Sequence, residues 1–395
     1  MVSFDQILSS KQAIFRDVSV LSPHFVPKVL PFRDMLITEI MTGLSPALKG
    51  KKPRNLILYG PTGSGKTVSM KRVMEEFQAQ KTSASMFYLN CRIYNSRYRI
   101  LQKVLKEHVP EIEKSGFGLP FLYEKLLELA GAGHQLIIVL DEIDMVKDLD
   151  DLVYTLTRAN DELSAGGISM VGISNKLNFK EALGTRSRSS LYETEMVFHN
   201  YTSEQLQKIL SQRIKDGFQD GVVDSSAVNL TAAITAGDGG DARYALKLLL
   251  RAGEMAEQAG KKRVTDEDVE AARRKVELDL AAETIANLPD NHQMVLYAIA
   301  RISLNGSRYS RLEGMDESFL FSGEIYEEYE AICKRLRKRA RTPRWYKEYL
   351  NELEMLGLIT TTPSSKGIRG HTTLIKPGQN PKDMEKILKE KLALD

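Results

Sequence analysis

The sequence predicts three parts in series: an α/β P-loop domain over 1–201, with a parallel sheet covered by helices on both faces, an all-α lid over 202–284, and a C-terminal winged-helix domain over 285–395. Three observations carry this. Gly60, Pro61, Thr62, Gly63, Ser64, Gly65, Lys66 and Thr67 match the spacing G-x-x-x-x-G-K-[ST], entered by the apolar run Asn55-Leu56-Ile57-Leu58-Tyr59 and left by a helical stretch from Val68. Short β-rich runs alternate with helical stretches as far as residue 198 and then stop. The last part of the chain reads helix, helix, helix, hairpin.

The loop glycines let consecutive backbone N–H groups turn inward around a polyphosphate, and the N-terminus of the next helix, opened by Val68, adds its positive dipole end. Lys66 supplies a cation for the β and γ phosphates, and the Thr67 hydroxyl is a ligand for Mg²⁺. ATP or ADP with Mg²⁺ is therefore the expected ligand. The strands around the loop are expected over 56–59, 85–89, 136–140, 169–174 and 196–198, with the ligand at their carboxyl ends. The third of them, Leu136-Ile137-Ile138-Val139-Leu140, runs into Asp141-Glu142-Ile143-Asp144. Asp141 is placed to hold the Mg²⁺ shell and Glu142 to polarise an attacking water as general base. Asn175, after the fourth strand, has an amide suited to orienting that water or touching the γ-phosphate, although Ser-Asn also makes ordinary turns.

Beyond residue 201 the pattern is helical, with start signals at Thr202-Ser203-Glu204-Gln205 and Thr265-Asp266-Glu267-Asp268. Gly239-Gly240-Asp241-Ala242-Arg243 puts Arg243 at a helix start, from which it can report the number of phosphates by moving one domain against the other. The alternative is an ion pair with Asp241.

In the third part helices are expected over 289–303, 322–340 and 343–356, and strands over 358–362 and 372–375. Thr342 and Pro343 suit a helix start. Tyr346, Leu350, Leu353 and Leu356 form the inward stripe of the third helix, leaving Arg344, Lys347, Glu348 and Asn351 outward for a major groove. The hairpin tip carries Lys366, Arg369 and His371, suited to phosphates or a minor groove.

The net charge of +3 hides an uneven distribution. Lys334, Arg335, Arg337, Lys338, Arg339, Arg341, Arg344 and Lys347 follow one another with no acid among them. That block points to a polyanion, here double-stranded DNA, against the plainer readings of a solvated helix face or a protein-binding winged helix. No apolar run approaches the roughly 18 to 20 residues that span a bilayer, so the chain is expected in the cytosol with no membrane partner. Cys91 and Cys333 are far apart and have no His or Cys at metal spacing, and are read as reduced thiols.

The order of P-loop, Asp141-Glu142-Ile143-Asp144, Asn175 and a helical lid with Gly-Asp-Ala-Arg243 resembles the AAA+ ATPases. With the winged helix appended, the chain resembles the archaeal origin-recognition and replication-licensing initiators. The resemblance extends to Val20-Leu21-Ser22-Pro23-His24-Phe25-Val26-Pro27 and Leu30-Pro31-Phe32-Arg33-Asp34, similar to a segment that lies against adenine. It implies base contacts at Phe25, Val26 and Arg33, with Tyr201 and Arg213 as further nucleotide contacts. It also implies tightly held ADP, slow ATPase turnover used as a switch, other initiator paralogues and the replicative helicase as partners, and association with the nucleoid.

Two further segments match the family. Leu183-Gly184-Thr185-Arg186-Ser187-Arg188 is similar to the segment holding an arginine finger that completes a neighbour's site in trans, with Arg186 aligning best. Here Gly184-Thr185 replaces the usual Asp-Pro. The stretch from Asn90 to Arg99 resembles the start of a helical insertion that touches DNA, with Arg97 and Arg99 as phosphate contacts and Tyr94 and Tyr98 as core. Two rivals stay open: a signalling ATPase with a winged helix, although Gly118-Leu119-Pro120-Phe121 lies before the Asp141 strand and cannot serve as that class's lid element, and a transcription regulator that uses ATP only for structure.

Overall fold

The computed structural model describes residues 14–395 except 24, 81, 107, 110–111, 113–115, 307–318, 364–372, 393 and 395. The chain divides into two compact units, Met1–Ala272 and Arg273–Asp395.

The first unit is built on five parallel strands: β1 (Asn55–Tyr59), β2 (Ser85–Asn90), β3 (Gln135–Asp141), β4 (Gly167–Ser174) and β5 (Glu193–Val197), in the order β2-β3-β4-β1-β5. The central three are buried at every residue. Helices cover both faces, so these strands read as continuous apolar runs and not as alternation. The period-2 geometry still divides them: Ile57, Ile138 and Leu140 join one core, while Leu56, Leu58, Ile137 and Val139 join the other. Around the sheet run α1 (Asp34–Leu44), α2 (Lys66–Gln78), α3 (Arg97–Leu105), α4 (Leu119–Gly131), α5 (Leu149–Glu162) and α6 (Thr185–Leu191).

The lid follows as α7 (Ser203–Gly217), α8 (Ser225–Gly237), α9 (Ala242–Gln258) and α10 (Asp266–Ala286). Thr202 and Gln205 form the expected capping box, and the Thr265 N–H and hydroxyl both donate to Asp268. The chain before α1 packs on the lid. The Phe15 and Phe218 rings stand 4.8 Å apart, and the Arg16 N–H donates to the Gly217 carbonyl.

The second unit contains α11 (Asp290–Asn305), α12 (Ser322–Arg335), α13 (Pro343–Met355) and α14 (Pro381–Leu392), with a three-stranded antiparallel sheet of β6 (Leu320–Phe321), β8 (Thr373–Pro377) and β7 (Ile359–Pro363). The expected order of three helices and a hairpin is present, with differences in detail. The second helix stops at Arg335, because Arg337 turns into the left-handed region at φ 55°. Thr342 stands at the N-cap, but its hydroxyl makes no capping bond. Leu356 is 50% exposed, since α13 ends at Met355 and Gly357 (φ 69°) turns the chain, so that Leu358 becomes the buried leucine. Tyr349 joins Tyr346, Leu350 and Leu353 on the inner face. β6 has two residues, too few for a period to show in sequence, while α14 buries Met384, Leu388 and Leu392 at helical spacing.

Candidate functional site

The loop between β1 and α2 folds as its glycines require. Gly63 and Gly65 take φ of 67° and 94°, where a side chain is strained. A Cβ on Gly63 would also stand 1.7 Å from Asp241 Oδ1, so the lid closes directly on the loop. The Ala242 N–H donates to the Gly63 carbonyl at 3.3 Å.

Gly63, Gly65, Thr67 and Val68 line a cavity of about 390 Å³ together with Asp141, Glu142, Phe25, Val26, Tyr201, Arg213 and the lid's Arg243. Gly60 and Ser64 are buried behind it, and Pro61 and Thr62 are exposed at the turn. Lys66 is buried, its ammonium donating to the carbonyls of Gly60 and Pro61 at 2.7 and 2.8 Å. Burial, and then the nearby Arg243 charge, lower its pKa to about 8. Asp241 caps α9 by accepting the Arg243 N–H at 2.7 Å, using its carboxylate on backbone. The expected alternative, an Asp241–Arg243 side-chain ion pair, is not formed among the described residues.

Asp141 is the acidic centre. Its Oδ2 accepts from the Thr67 hydroxyl at 2.9 Å and the Tyr88 hydroxyl at 2.6 Å, and its Oδ1 accepts the Glu142 N–H. Tyr88, held between burial and this carboxylate, has its pKa pushed well above the usual phenol range. Glu142 sits at φ 56°, ψ 47°, left-handed for a residue with a side chain, and its Oε2 accepts from Arg92 Nε. At the adenine-side expectation, Phe25 and Val26 line the cavity, with the Arg213 guanidinium 4.9 Å from the Phe25 ring.

Three expected site residues stand elsewhere. Arg33 does not line the cavity: its Nε and Nη2 donate to the carbonyls of Ser64 and His199, and its guanidinium lies 4.0 Å over the Tyr201 ring, bracing the loop from behind. Asn175 is exposed and outside the cavity lining, because Ser174 and Lys176 turn the chain toward Asp144. Arg97 is turned onto α5, donating to Thr155 at 3.1 Å and pairing with Asp151, while Arg99 is exposed. Tyr94 and Tyr98 pack on the core, as expected. Arg186 and Arg188 are exposed on α6, whose N-cap Gly184 donates its N–H to Asp150 at 2.7 Å.

Residues that pattern reading missed are Tyr88 and Asn90 on β2, Arg92 just after it, and Gln212 on α7. Asn90 lies in register with Asp141. The rule that ligands sit at the carboxyl ends of parallel strands points to β2 as much as to β3. Gln212 has no such signal beyond its place beside Arg213; its side-chain amide donates to the Val29 carbonyl at 3.1 Å.

In the second unit Arg344, Lys347 and Asn351 are exposed on α13, as expected. The connection leading into α13 is pinned by tyrosines: the Tyr326 hydroxyl donates to the Arg341 carbonyl, the Arg341 N–H donates to the Tyr329 hydroxyl, and Tyr346 reaches Ser322. Lys338 is paired with Asp290. For Arg339, Arg341, Arg344 and Lys347 no acid is a partner among the described residues. Lys366, Arg369 and His371 lie outside the described residues.

A P-loop with an acidic strand end, a helical lid and a winged helix define an AAA ATPase joined to a winged-helix domain. Residues 49–178 match the AAA domain family, 207–274 the Cdc6 AAA+ ATPase-type lid domain, and 283–387 the CDC6 C-terminal winged helix domain. The chain belongs to the archaeal ORC1-type DNA replication protein family. It is 39% identical to the ORC1-type DNA replication protein of Thermococcus kodakarensis, over 96% of this chain and 91% of that protein. It is 38% identical to ORC1-type DNA replication protein 1 of Sulfurisphaera tokodaii, over 98% of this chain and 96% of that one. Among solved structures it is similar to Aeropyrum pernix ORC1 in complex with DNA, at 36% identity and TM-score 0.78, covering 96% of this chain and 98% of the other. It is also similar to Cdc6p of Pyrobaculum aerophilum, at 26% identity and TM-score 0.62, covering 96% and 99%. Among the described residues no helix is long and apolar enough to cross a membrane.

Proposed function

We propose that this chain is an ATP-regulated initiator that binds double-stranded DNA at replication origins and helps to recruit the replicative helicase, with slow hydrolysis of ATP to ADP as its switch. The observation that carries the reading is that Thr67, Asp141 and the lid's Arg243 face one cavity at the P-loop. The Thr67 hydroxyl and Asp141 carboxylate, 2.9 Å apart, are hard oxygen donors of the kind Mg²⁺ prefers. They would hold the ion, whose chemistry when bound is to neutralise charge on the phosphate oxygens.

Lys66 would turn its ammonium from the loop carbonyls to the phosphates. Phe25, Val26, Tyr201 and Arg213 would enclose the base and sugar. Glu142 would take a proton from the attacking water, and Arg243 would hold the lid to the γ-phosphate and release it after cleavage. Arg186, exposed on α6, is suited to completing the site of an initiator paralogue. Function divides among an ATP-binding domain over 1–201, a lid over 202–284 and a DNA-binding domain over 285–395, acting at the nucleoid in the cytoplasm.

Footprinting on the organism's own replication origin, with ATP and with ADP, tests this. Protection confined to the origin and different between the two nucleotides is expected; protection indifferent to origin sequence and to nucleotide overturns it.

A further inference from the structure

The chain has one tryptophan, and it stands on the outside of a helix. Trp345 is 56% exposed in the first turn of α13, while Tyr346, Tyr349, Leu350 and Leu353 of the same helix are buried. Packing of the second unit therefore does not account for it. No aromatic ring or cation lies against the indole among the described residues. Cations flank it along the chain: Arg344 precedes it, Lys347 lies two residues on, and Arg339 and Arg341 lie on the tyrosine-pinned connection just before the helix, while Glu348 stands one turn along from the indole. The exposed side chains of α13 that share its outward side include Glu348 and Asn351.

In helix-turn-helix folds the first residues of the third helix meet base edges while flanking cations hold phosphates. Phosphate contacts carry affinity and no sequence information. A flat apolar side chain has one distinctive partner in a major groove, the C5-methyl group of thymine. Resting on the DNA-binding reading given above, we propose that Trp345 is a sequence-discriminating contact that reads thymine methyls in the major groove, with Arg344 and Lys347 beside it on the phosphates. The run of cations from Lys334 to Lys347, with no acid among them, favours a duplex over a protein partner for the same indole, since a block of one sign of charge suits a polyanion.

Because Trp345 is the sole indole, its emission reports on this position alone. The full chain would select short duplexes from a randomised pool, and the selected and scrambled duplexes would then be titrated against it. The selected duplex should quench and shift the emission more than the scrambled one. Trp345→Ala should lower the ratio of selected to scrambled affinity by about tenfold, the scale of one misread base pair. Affinity for the scrambled duplex should hold within about twofold, which also shows that the variant is folded. Trp345→Phe should keep part of the ratio. Replacing the touched thymine by uracil should weaken the wild type and leave Trp345→Ala unchanged.

Failure of the wild type to bind any duplex would remove the DNA-binding reading itself. Salt-dependent duplex binding with unchanged emission and an unchanged ratio in Trp345→Ala would overturn this inference alone. Selection of no preferred sequence, or an emission change only on adding a second protein, would do the same.

Discussion

Lys66 is held below the usual amine range by its own environment. Burial and Arg243 lower its pKa to about 8, and a triphosphate, which favours the ammonium, would raise it again. Above that pH binding must take up a proton, so affinity should be flat below about pH 8 and fall by up to tenfold per unit above it. Lys66→Ala should weaken ATP binding by about tenfold to a hundredfold, the range for hydrogen bonds to a charged group, and should lose this pH dependence. Calorimetric titration on both sides of about pH 8 checks both outcomes. Arg92 offers a second test, because its ion pair with Glu142 ties up the carboxylate that the proposed mechanism needs. Arg92→Ala should speed hydrolysis in a phosphate-release assay, whereas Glu142→Gln should slow it by about a hundredfold or more. Cys91 and Cys333 are buried and free, and burial pushes the Cys91 thiol up to about 12, so both should resist thiol reagents while the chain is folded.

Among the elements, α13 presents Arg344 and Lys347 outward. Arg344→Ala together with Lys347→Ala should weaken duplex binding and reduce the slope of log affinity against log salt by about 0.9 for each phosphate that is no longer neutralised. An unchanged slope would place the groove-facing surface elsewhere. Elements of this kind were largely legible in the sequence. β1, β3 and β4 announced themselves because full burial demands an unbroken apolar run, and α7 because Thr202 and Gln205 form a local box. What escaped was set by tertiary packing. Arg33 matched a base-contact segment, yet the Ser64 and His199 carbonyls hold it behind the loop. Arg97 looked free on a basic stretch, and α5 captured it. Tyr88 and Arg92 meet the acidic pair Asp141 and Glu142 only because β2 lies beside β3, a pairing that no local pattern encodes.

At the scale of the whole molecule, a nucleotide touching both the P-loop and Arg243 would tie the lid to the sheet and stabilise the first unit. At a hundredfold excess over its dissociation constant the linkage is about 2.7 kcal/mol. Scanning calorimetry should show the transition of that unit rising by about 5 to 10 °C with ATP, and by only about 1 to 5 °C in Lys66→Ala at the same ATP concentration. The left-handed backbone of Glu142 works in the opposite direction. A side-chain-bearing residue there costs about 1 kcal/mol, and asparagine tolerates that conformation better than glutamate. Glu142→Asn should therefore melt a few degrees higher while losing hydrolysis. The position is one where durability and turnover pull against each other, so a version of this protein hardened against heat by selection for melting temperature alone would drift toward a form that holds its fuel and never burns it.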